Sequence, residues 1–170
     1  LKKQKIEYGV IFNNPDNVFY GELLKGIKQA QAEINDYGIN IDVHFTDPTT
    51  GKAQAELIDQ MVNEKKRGIV LLPIDCDEVR AAVNRGVRQN VEFVTMASDL
   101  TRSRRLCFVG PDQVKCGEVA AGLLNMFLGK EDKVVCFVGF LSLLAIKKRV
   151  DGFKQKFGEL HPPEKLIGIF

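Results

Sequence analysis

Polar and aromatic side chains follow three short apolar runs of this sequence. Carboxylates and amides form several hydrogen bonds with hydroxyl groups, and aromatic rings pack against the apolar faces of small molecules. This mixture of residue types favours a small polyhydroxylated ligand bound in a concave site. The residues concerned are Asn13, Asn14, Phe19, Tyr20, Asp75, Ser98 and Asp99.

Each of these residues also has a purely structural explanation. Asn, Asp and Ser cap helices in any α/β protein, and Phe19 or Tyr20 could fix the first helix against a sheet. The basic cluster Arg102, Arg104 and Arg105 could bind an anion or an acidic partner, or form a solvated loop. The residue types alone leave both explanations open.

The sequence lacks the motifs of the common catalytic and cofactor sites. No G-x-G-x-x-G follows the first predicted strand, and neither a phosphate-binding P-loop nor a G-x-S-x-G nucleophile motif is present. Neither His44 nor His161 has an evident nucleophile beside it. We therefore expect no enzyme activity and no cofactor. An α/β enzyme that uses Asp75 or Asp99 is the alternative from another functional class.

Composition places the chain among ordinary globular proteins, with 45% hydrophobic and 27% charged residues. The net charge of +2 is too small to predict nucleic-acid binding by these residues. The apolar runs are also far shorter than the roughly 18 residues that a membrane helix requires. We therefore expect neither DNA nor a membrane to be a direct partner of this chain.

Four cysteines are present, and none belongs to a C-x-x-C pair, so we expect no metal site. Cys107 and Cys136 lie within apolar runs and are expected to be buried. Free thiols favour a reducing compartment, which predicts a cytoplasmic protein. Two disulfides, however, could also be made from four cysteines.

Short apolar runs alternate with segments whose apolar residues recur at intervals of three and four. This alternation predicts parallel strands connected by helices, an α/β fold. One predicted helix covers residues 117–128, with Val119, Leu123 and Phe127 among its apolar residues. Another ends at Gly38. The predicted strands are residues 6–12, 39–45, 67–73, 91–96, 105–110, 133–139 and 165–170.

The order of these segments resembles the sugar-binding effector domain of LacI-type transcriptional regulators. That domain shares its fold with ribose-type periplasmic binding proteins. The stretch S-D-L-x-x-S-R-R-x-x-x-V-G-x-D at residues 98–112 is closer to the regulators than to transport proteins. The similar segments cover nearly the whole chain and are YGVIFNNPDNVFYGELLKGIKQAQAE, GIVLLPIDCDEV, FVTMASDLTRSRRLCFVGPDQVKCGEVAAGLL, KVVCFVG and KKRVDGF.

The resemblance implies two Rossmann-like lobes with parallel sheets and a ligand between them. Residues 1–105 would form the N-terminal lobe, and residues 106–170 would begin a C-terminal lobe that is incomplete. A helix-turn-helix domain that precedes the effector domain in the family would lie outside this chain. We therefore expect the chain to be a fragment of a longer protein.

The ligand contacts of the family can be carried over one residue at a time. Gln113 stands where the family usually has Asn. Ala97, Ser98 and Asp99 stand where ribose-type proteins tend to have Asp-Arg, so the identity of the sugar is open. The positions implied by the resemblance are Asn13, Asn14, Phe19, Tyr20, Asp75, Ser98, Asp99, Asp112 and Arg149.

The resemblance also implies a function. The chain would bind a small sugar or sugar derivative, close about a hinge, and change DNA binding by the helix-turn-helix domain of a cytoplasmic homodimer. DNA would be a partner only through that absent domain. The alternative is a periplasmic or extracytoplasmic sugar-binding protein of an ABC transporter, which would use the same site.

Overall fold

The computed structural model describes residues 5–13, 18–47, 50–139, 141 and 143–170. In these residues helices alternate with strands, except that the fourth and fifth strands follow one another directly, and each strand pairing is parallel. The predicted α/β fold with parallel sheets is therefore confirmed. The strands are β1 (Ile6–Asn13), β2 (Ile39–Thr46), β3 (Gly68–Leu71), β4 (Glu92–Met96), β5 (Cys107–Val109), β6 (Val134–Cys136) and β7 (Leu166–Ile169). The helices are α1 (Phe19–Ile34), α2 (Gly51–Asn63), α3 (Asp77–Arg88), α4 (Gln113–Asn125) and α5 (Leu144–Leu160).

The chain divides into two compact units, Leu1–Val109 and Gly110–Phe170. The first unit contains a five-stranded sheet in the order β2-β1-β3-β4-β5. The first unit extends past residue 105, where the sequence suggested a boundary, because β5 is hydrogen-bonded to β4. Since the strands are parallel, the loops that follow β1, β3 and β4 leave the sheet at one edge, which we call the carboxyl edge.

Helices α2 and α3 pack on one face of this sheet. Ile11, Met61 and Phe93 are fully buried there, and burying each side chain contributes about 1.5–3 kcal/mol. The approach is close, since a Cβ at Gly86 would lie 2.6 Å from the ring of Phe93. This packing fixes the positions of the central strands, and so it also fixes where the loops at the carboxyl edge begin.

Helix α1 ends at Ile34, before Gly38, where the sequence predicted its end. A 3-10 turn at Asn35–Tyr37 follows it, and the amide of Gly38 donates to the carbonyl oxygen of Asn35. Gly38 has φ 75°, a left-handed conformation that glycine adopts without steric cost. The chain then enters β2.

The second unit contains α4, α5 and a pair of parallel strands, β6 and β7. The two helices touch through glycines. A Cβ at Gly117 would lie 2.0 Å from the carbonyl oxygen of Arg149, and one at Gly152 would lie 2.1 Å from that of Val114. Backbone therefore packs directly on backbone where α4 meets α5. Ala121, Val134 and Phe157 form the buried core beside this contact.

Most of the apolar residues predicted for α4 are exposed, although Leu124 is partly buried against the core of this unit. Val119 and Leu123 are more than half exposed, and Phe127 is 81% exposed. The helix instead turns Gly117 and Ala121 inward, because the glycine contact with α5 decides which face is buried. It also begins at Gln113 rather than at residue 117, since the Asp112 carboxylate caps it by accepting from the Lys115 amide at 3.0 Å.

Cys107 lies on edge strand β5 and is exposed, whereas the sequence predicted burial. Cys136 is partly buried, and all four cysteines are free thiols. Within the described ranges, no helix is long and apolar enough to cross a membrane. Those same ranges contain no cluster of metal-binding side chains.

Candidate ligand-binding site

Three adjacent strands of the first unit bring four of the nine predicted site residues to the carboxyl edge. Asn13 ends β1, Asp75 follows β3, and Ser98 and Asp99 follow β4. Because β1, β3 and β4 are neighbours in the sheet, these residues lie along one edge although they are far apart in sequence. Asn14 lies outside the described residues.

The end of β1 holds a buried amide that is bonded to a tyrosine. Asn13 is 1% exposed, and its Oδ1 accepts a hydrogen bond from the Tyr20 hydroxyl. Burial raises the pKa of the Tyr20 phenol, so the hydroxyl keeps its proton and remains a donor. The Nδ2 of Asn13 is buried and has no hydrogen-bond partner among the residues that the structure describes. A buried donor without a hydrogen bond lowers the stability of the fold by about 1–3 kcal/mol. An acceptor atom of a bound ligand would supply the missing hydrogen bond and remove this loss.

The two predicted aromatic residues have different surroundings. Tyr20 stacks on Phe12 with ring centroids 4.9 Å apart and belongs to the core. Phe19 lies edge-on to Tyr20 at 5.8 Å, and 57% of its surface is exposed. Phe19 is therefore the ring that can cover the apolar face of a ligand, whereas Tyr20 fixes α1 and orients Asn13.

A buried glutamine holds the loop after β3. Gln54 lies in α2 and is fully buried. Its Nε2 donates to the carbonyl oxygen of Leu72 at 3.1 Å, and its Oε1 accepts from the amide of Ile74 at 2.9 Å. These bonds satisfy the backbone of the loop that carries Asp75, and so they fix where that carboxylate lies.

An arginine connects Asp75 to the loop after β4. The Nη2 of Arg80 donates to Asp75 Oδ1 at 2.7 Å, and its Nε donates to the carbonyl oxygen of Thr101 at 2.9 Å. Its Nη1 also donates to Asp77. The Asp75 carboxylate is thus already paired with an arginine within the first unit, and its role as a ligand contact stays a prediction.

Asp99 lies in the loop between β4 and β5 and connects Thr95 to Arg105 through hydrogen bonds. The Nε and Nη2 of Arg105 donate to its two carboxylate oxygens at 2.5 and 2.7 Å. The Thr95 hydroxyl and the Leu100 amide donate to Oδ1, each at 2.8 Å. Arg105 therefore has a partner inside its own unit, while Arg102 and Arg104 of the basic cluster are exposed.

These contacts also set the charge of Asp99. Burial alone would raise the pKa of its carboxyl, but the bonds from Arg105, Thr95 and the Leu100 amide outweigh burial and lower that pKa below its usual value. Asp99 is therefore ionised at neutral pH. Its negative charge is matched by Arg105 and adds little net charge to the carboxyl edge.

The backbone between β4 and Asp99 is strained. Ala97 has φ 60°, a left-handed conformation that costs a residue with a side chain about 1–2 kcal/mol. The Ala97 amide donates to the carbonyl oxygen of Val109 at 3.0 Å, and the Ser98 amide donates to that of Met96 at 2.7 Å. Ser98 is 1% exposed. Strain of this kind concentrates at binding loops, and here it sets the direction of the chain at Asp99.

The second unit carries the other two predicted residues. Asp112 is the exposed cap of α4, and Arg149 is an exposed residue of α5. Gln113 joins the two helices, since its Oε1 accepts from the Arg149 Nε at 2.5 Å. Arg149 also borders an apolar cavity of about 290 Å³ inside this unit. The cavity is lined by Cys116, Gly117, Ala120, Cys136, Phe137, Val138, Arg149, Val150, Phe153 and Ile169.

A second cavity of the first unit lies away from the predicted residues. It has a volume of about 300 Å³ and is lined by residues such as Arg67, Glu92, Arg104 and Leu106. These residues lie at the amino ends of β3, β4 and β5. Ligands of open parallel sheets bind at the opposite ends of the strands, so we place the candidate site at the carboxyl edge.

The profile of the periplasmic binding protein domain family matches residues 8–168, nearly the whole chain. The chain belongs to this family. The ribose import binding protein RbsB of Escherichia coli (strain K12) is 25% identical over 146 residues, which cover 86% of this chain and 48% of that protein. RbsB of Bacillus subtilis (strain 168) is 24% identical over 151 residues, which cover 89% and 48%.

Two solved structures have the same fold as this domain. A candidate LacI transcriptional regulator from Bacteroides fragilis superposes with a TM-score of 0.88 at 18% identity, over 98% of this chain and 60% of its own. A solute-binding protein from Burkholderia graminis C4D1M, in complex with D-arabinose, superposes with a TM-score of 0.87 at 19% identity. That match covers 100% of this chain and 57% of that protein. The chain spans about half the length of the curated relatives that it matches.

Proposed function

We propose that this periplasmic-binding-protein domain binds a small sugar or sugar derivative and catalyses no reaction. The observation that carries the proposal is the buried Nδ2 of Asn13 at the carboxyl edge, a donor without a partner among the described residues. Tyr20 bonds to the same amide, and the exposed ring of Phe19 lies 5.8 Å from the ring of Tyr20. A directed donor beside an aromatic face suits a ring with hydroxyl groups on its edge. The relatives named for ribose import and the relative that holds D-arabinose support this ligand class.

As the resemblance implies, one sugar would contact residues of the carboxyl edge and also Arg149. The sugar would stabilise a closed state because it makes more contacts there than in an open state. Binding would then shift the population between two arrangements of the lobes. No covalent chemistry is required for this response.

We propose further that the domain is the effector domain of a LacI-type regulator, acting as a cytoplasmic homodimer. DNA binding would belong to a helix-turn-helix domain outside this chain, and sugar binding would change operator affinity. The stretch at residues 98–112 supports this assignment, as does the fold shared with the candidate regulator from Bacteroides fragilis. Four free thiols suit a reducing compartment.

The second candidate is an exported solute-binding protein that delivers a sugar to a transporter. The ribose import proteins of Escherichia coli and Bacillus subtilis favour it, since they match most of this chain. The coding sequence upstream of Leu1 separates the two candidates. A helix-turn-helix would support the regulator, and a signal peptide would support transport.

Sugar binding is tested by thermal unfolding of the full-length protein with D-ribose, D-arabinose and D-allose. At a hundred times the dissociation constant, a bound sugar adds about 2.7 kcal/mol of stability, which raises Tm by several degrees. Arg149→Ala should lower the affinity for that sugar about tenfold to a hundredfold, because the change removes the hydrogen bonds that a charged donor makes to the sugar.

The matched control is Lys147→Ala, which removes another exposed cation of α5 and should leave affinity unchanged. If none of the three sugars raises Tm, the proposal of sugar binding fails. If a sugar does raise Tm but Arg149→Ala binds it as tightly as the wild type, the assignment of Arg149 fails.

A further inference from the structure

Gln113 makes a buried contact with the arginine of the proposed site. It is the first residue of α4 and only 5% exposed. Its Oε1 accepts a hydrogen bond from the Nε of Arg149 at 2.5 Å, across 36 positions of sequence. A buried acceptor paired with a guanidinium nitrogen forms a strong, charge-assisted bond.

The backbone beneath this bond is also fixed. The carbonyl oxygen of Arg149 occupies the space that a side chain at Gly117 would need, since a Cβ there would lie 2.0 Å from it. Gly152, one turn further along α5, makes the same kind of contact with Val114. The helix contact thus locates the backbone of Arg149, and Gln113 locates its charged end.

The bond leaves part of the guanidinium unused. Gln113 occupies Nε, and the two terminal nitrogens have no partner in the part of the chain that the structure describes. Arg149 is itself exposed. A guanidinium held at Nε presents its two terminal nitrogens as a planar fork, which matches two neighbouring oxygen atoms.

We propose that Gln113 is a positioning residue that holds Arg149 so that its terminal nitrogens bind two neighbouring oxygens of a sugar. The proposal rests on the proposed function and assigns a role to the position where the sequence departs from the family's usual Asn. Gln113 acts through Arg149, so its effect on affinity depends on the Nε of that residue.

The test measures dissociation constants of D-ribose, D-arabinose and D-allose by titration calorimetry on the full-length protein. Gln113→Met keeps the length of the side chain but removes the acceptor, and should weaken binding roughly threefold to thirtyfold. Gln113→Glu keeps an acceptor and should bind within about threefold of the wild type. Gln155→Met, at an exposed glutamine of α5, should change nothing.

A double variant decides the mechanism, because Gln113 has a further interaction besides the one with Arg149. Arg149→Lys removes Nε but keeps the charge, so Gln113→Met should cause no further loss in that background. An equal loss in both backgrounds would overturn the positioning role, and so would full affinity of Gln113→Met alone. If the wild type binds none of the three sugars, the proposed function falls and this role falls with it.

Discussion

Asp99→Asn is expected to lower the free energy of unfolding by about 2–4 kcal/mol. The change leaves Arg105, whose side chain is 22% exposed, without the carboxylate that now accepts two of its hydrogen bonds. Removing one member of a largely buried ion pair costs several kcal/mol, because the remaining charge keeps its desolvation penalty. Urea unfolding of both proteins at pH 7 measures the difference.

The matched control for Asp99→Asn is Asp59→Asn. Asp59 also binds an arginine, Arg85, through both carboxylate oxygens, but their side chains are 39% and 43% exposed. Solvent screens that pair, so its loss should cost less than about 1 kcal/mol. Equal losses in the two variants would show that the burial of Asp99 has no energetic consequence.

The effect of Asp99 should also depend on pH. The pKa of this carboxyl is lower in the folded state than in the unfolded state. The ionised carboxylate therefore stabilises the fold at pH above its unfolded-state pKa of about 3.9, and this stabilisation is lost as the pH falls through the folded-state pKa. The stability difference between wild type and Asp99→Asn should therefore shrink below about pH 4. A difference that stays constant down to pH 2 would contradict the assignment.

Gly117→Ala is expected to destabilise the second unit by about 3 kcal/mol or more. Its Cβ would lie 2.0 Å from the Arg149 carbonyl oxygen and 2.6 Å from the Phe153 amide nitrogen, both backbone atoms. The helices must move apart to admit the methyl group, and such overpacking costs more than the roughly 1 kcal/mol that alanine gains in a helix. Chemical unfolding followed by circular dichroism measures the loss.

Gly122→Ala in the same helix is the control for Gly117→Ala. A Cβ at Gly122 meets no atom within 4 Å, so this variant should be as stable as the wild type or more stable by up to about 1 kcal/mol. If Gly117→Ala behaves like Gly122→Ala, then α4 and α5 do not touch as described. Gly117→Ala should also weaken sugar binding, because the contact positions Arg149.

The sequence predicts the fold well because the fold follows from periodicity. The predicted strand at residues 67–73 is apolar from residue 68 onwards, as a parallel strand covered on both faces must be, and β3 lies within that run. The face of α4 could not be predicted in this way. Its burial is decided by Gly117 and Ala121 against α5, and small residues carry almost no hydrophobic signal.

The candidate site could be predicted only in part. The ends of strands indicate Asn13, Asp75 and Asp99 because sheet topology brings such ends together. The partners of these residues depend on packing between distant segments, which spacing does not show. The basic cluster near Asp99 suggests that one of its arginines, such as Arg105, pairs with that carboxylate. Nothing in the sequence indicates that Gln54 of α2 is fully buried or that it binds the loop after β3.

The most direct test of the central claim is hydrogen–deuterium exchange of the full-length protein with and without D-ribose, D-arabinose or D-allose. We predict that a bound sugar slows amide exchange at residues 97–101 and 113–117, next to the carboxyl edge of the first unit and to Arg149. Exchange at residues 64–67 and 90–91, which precede β3 and β4, should not change. Protection confined to those amino ends would contradict a site at the carboxyl edge, and unchanged exchange throughout would contradict sugar binding itself.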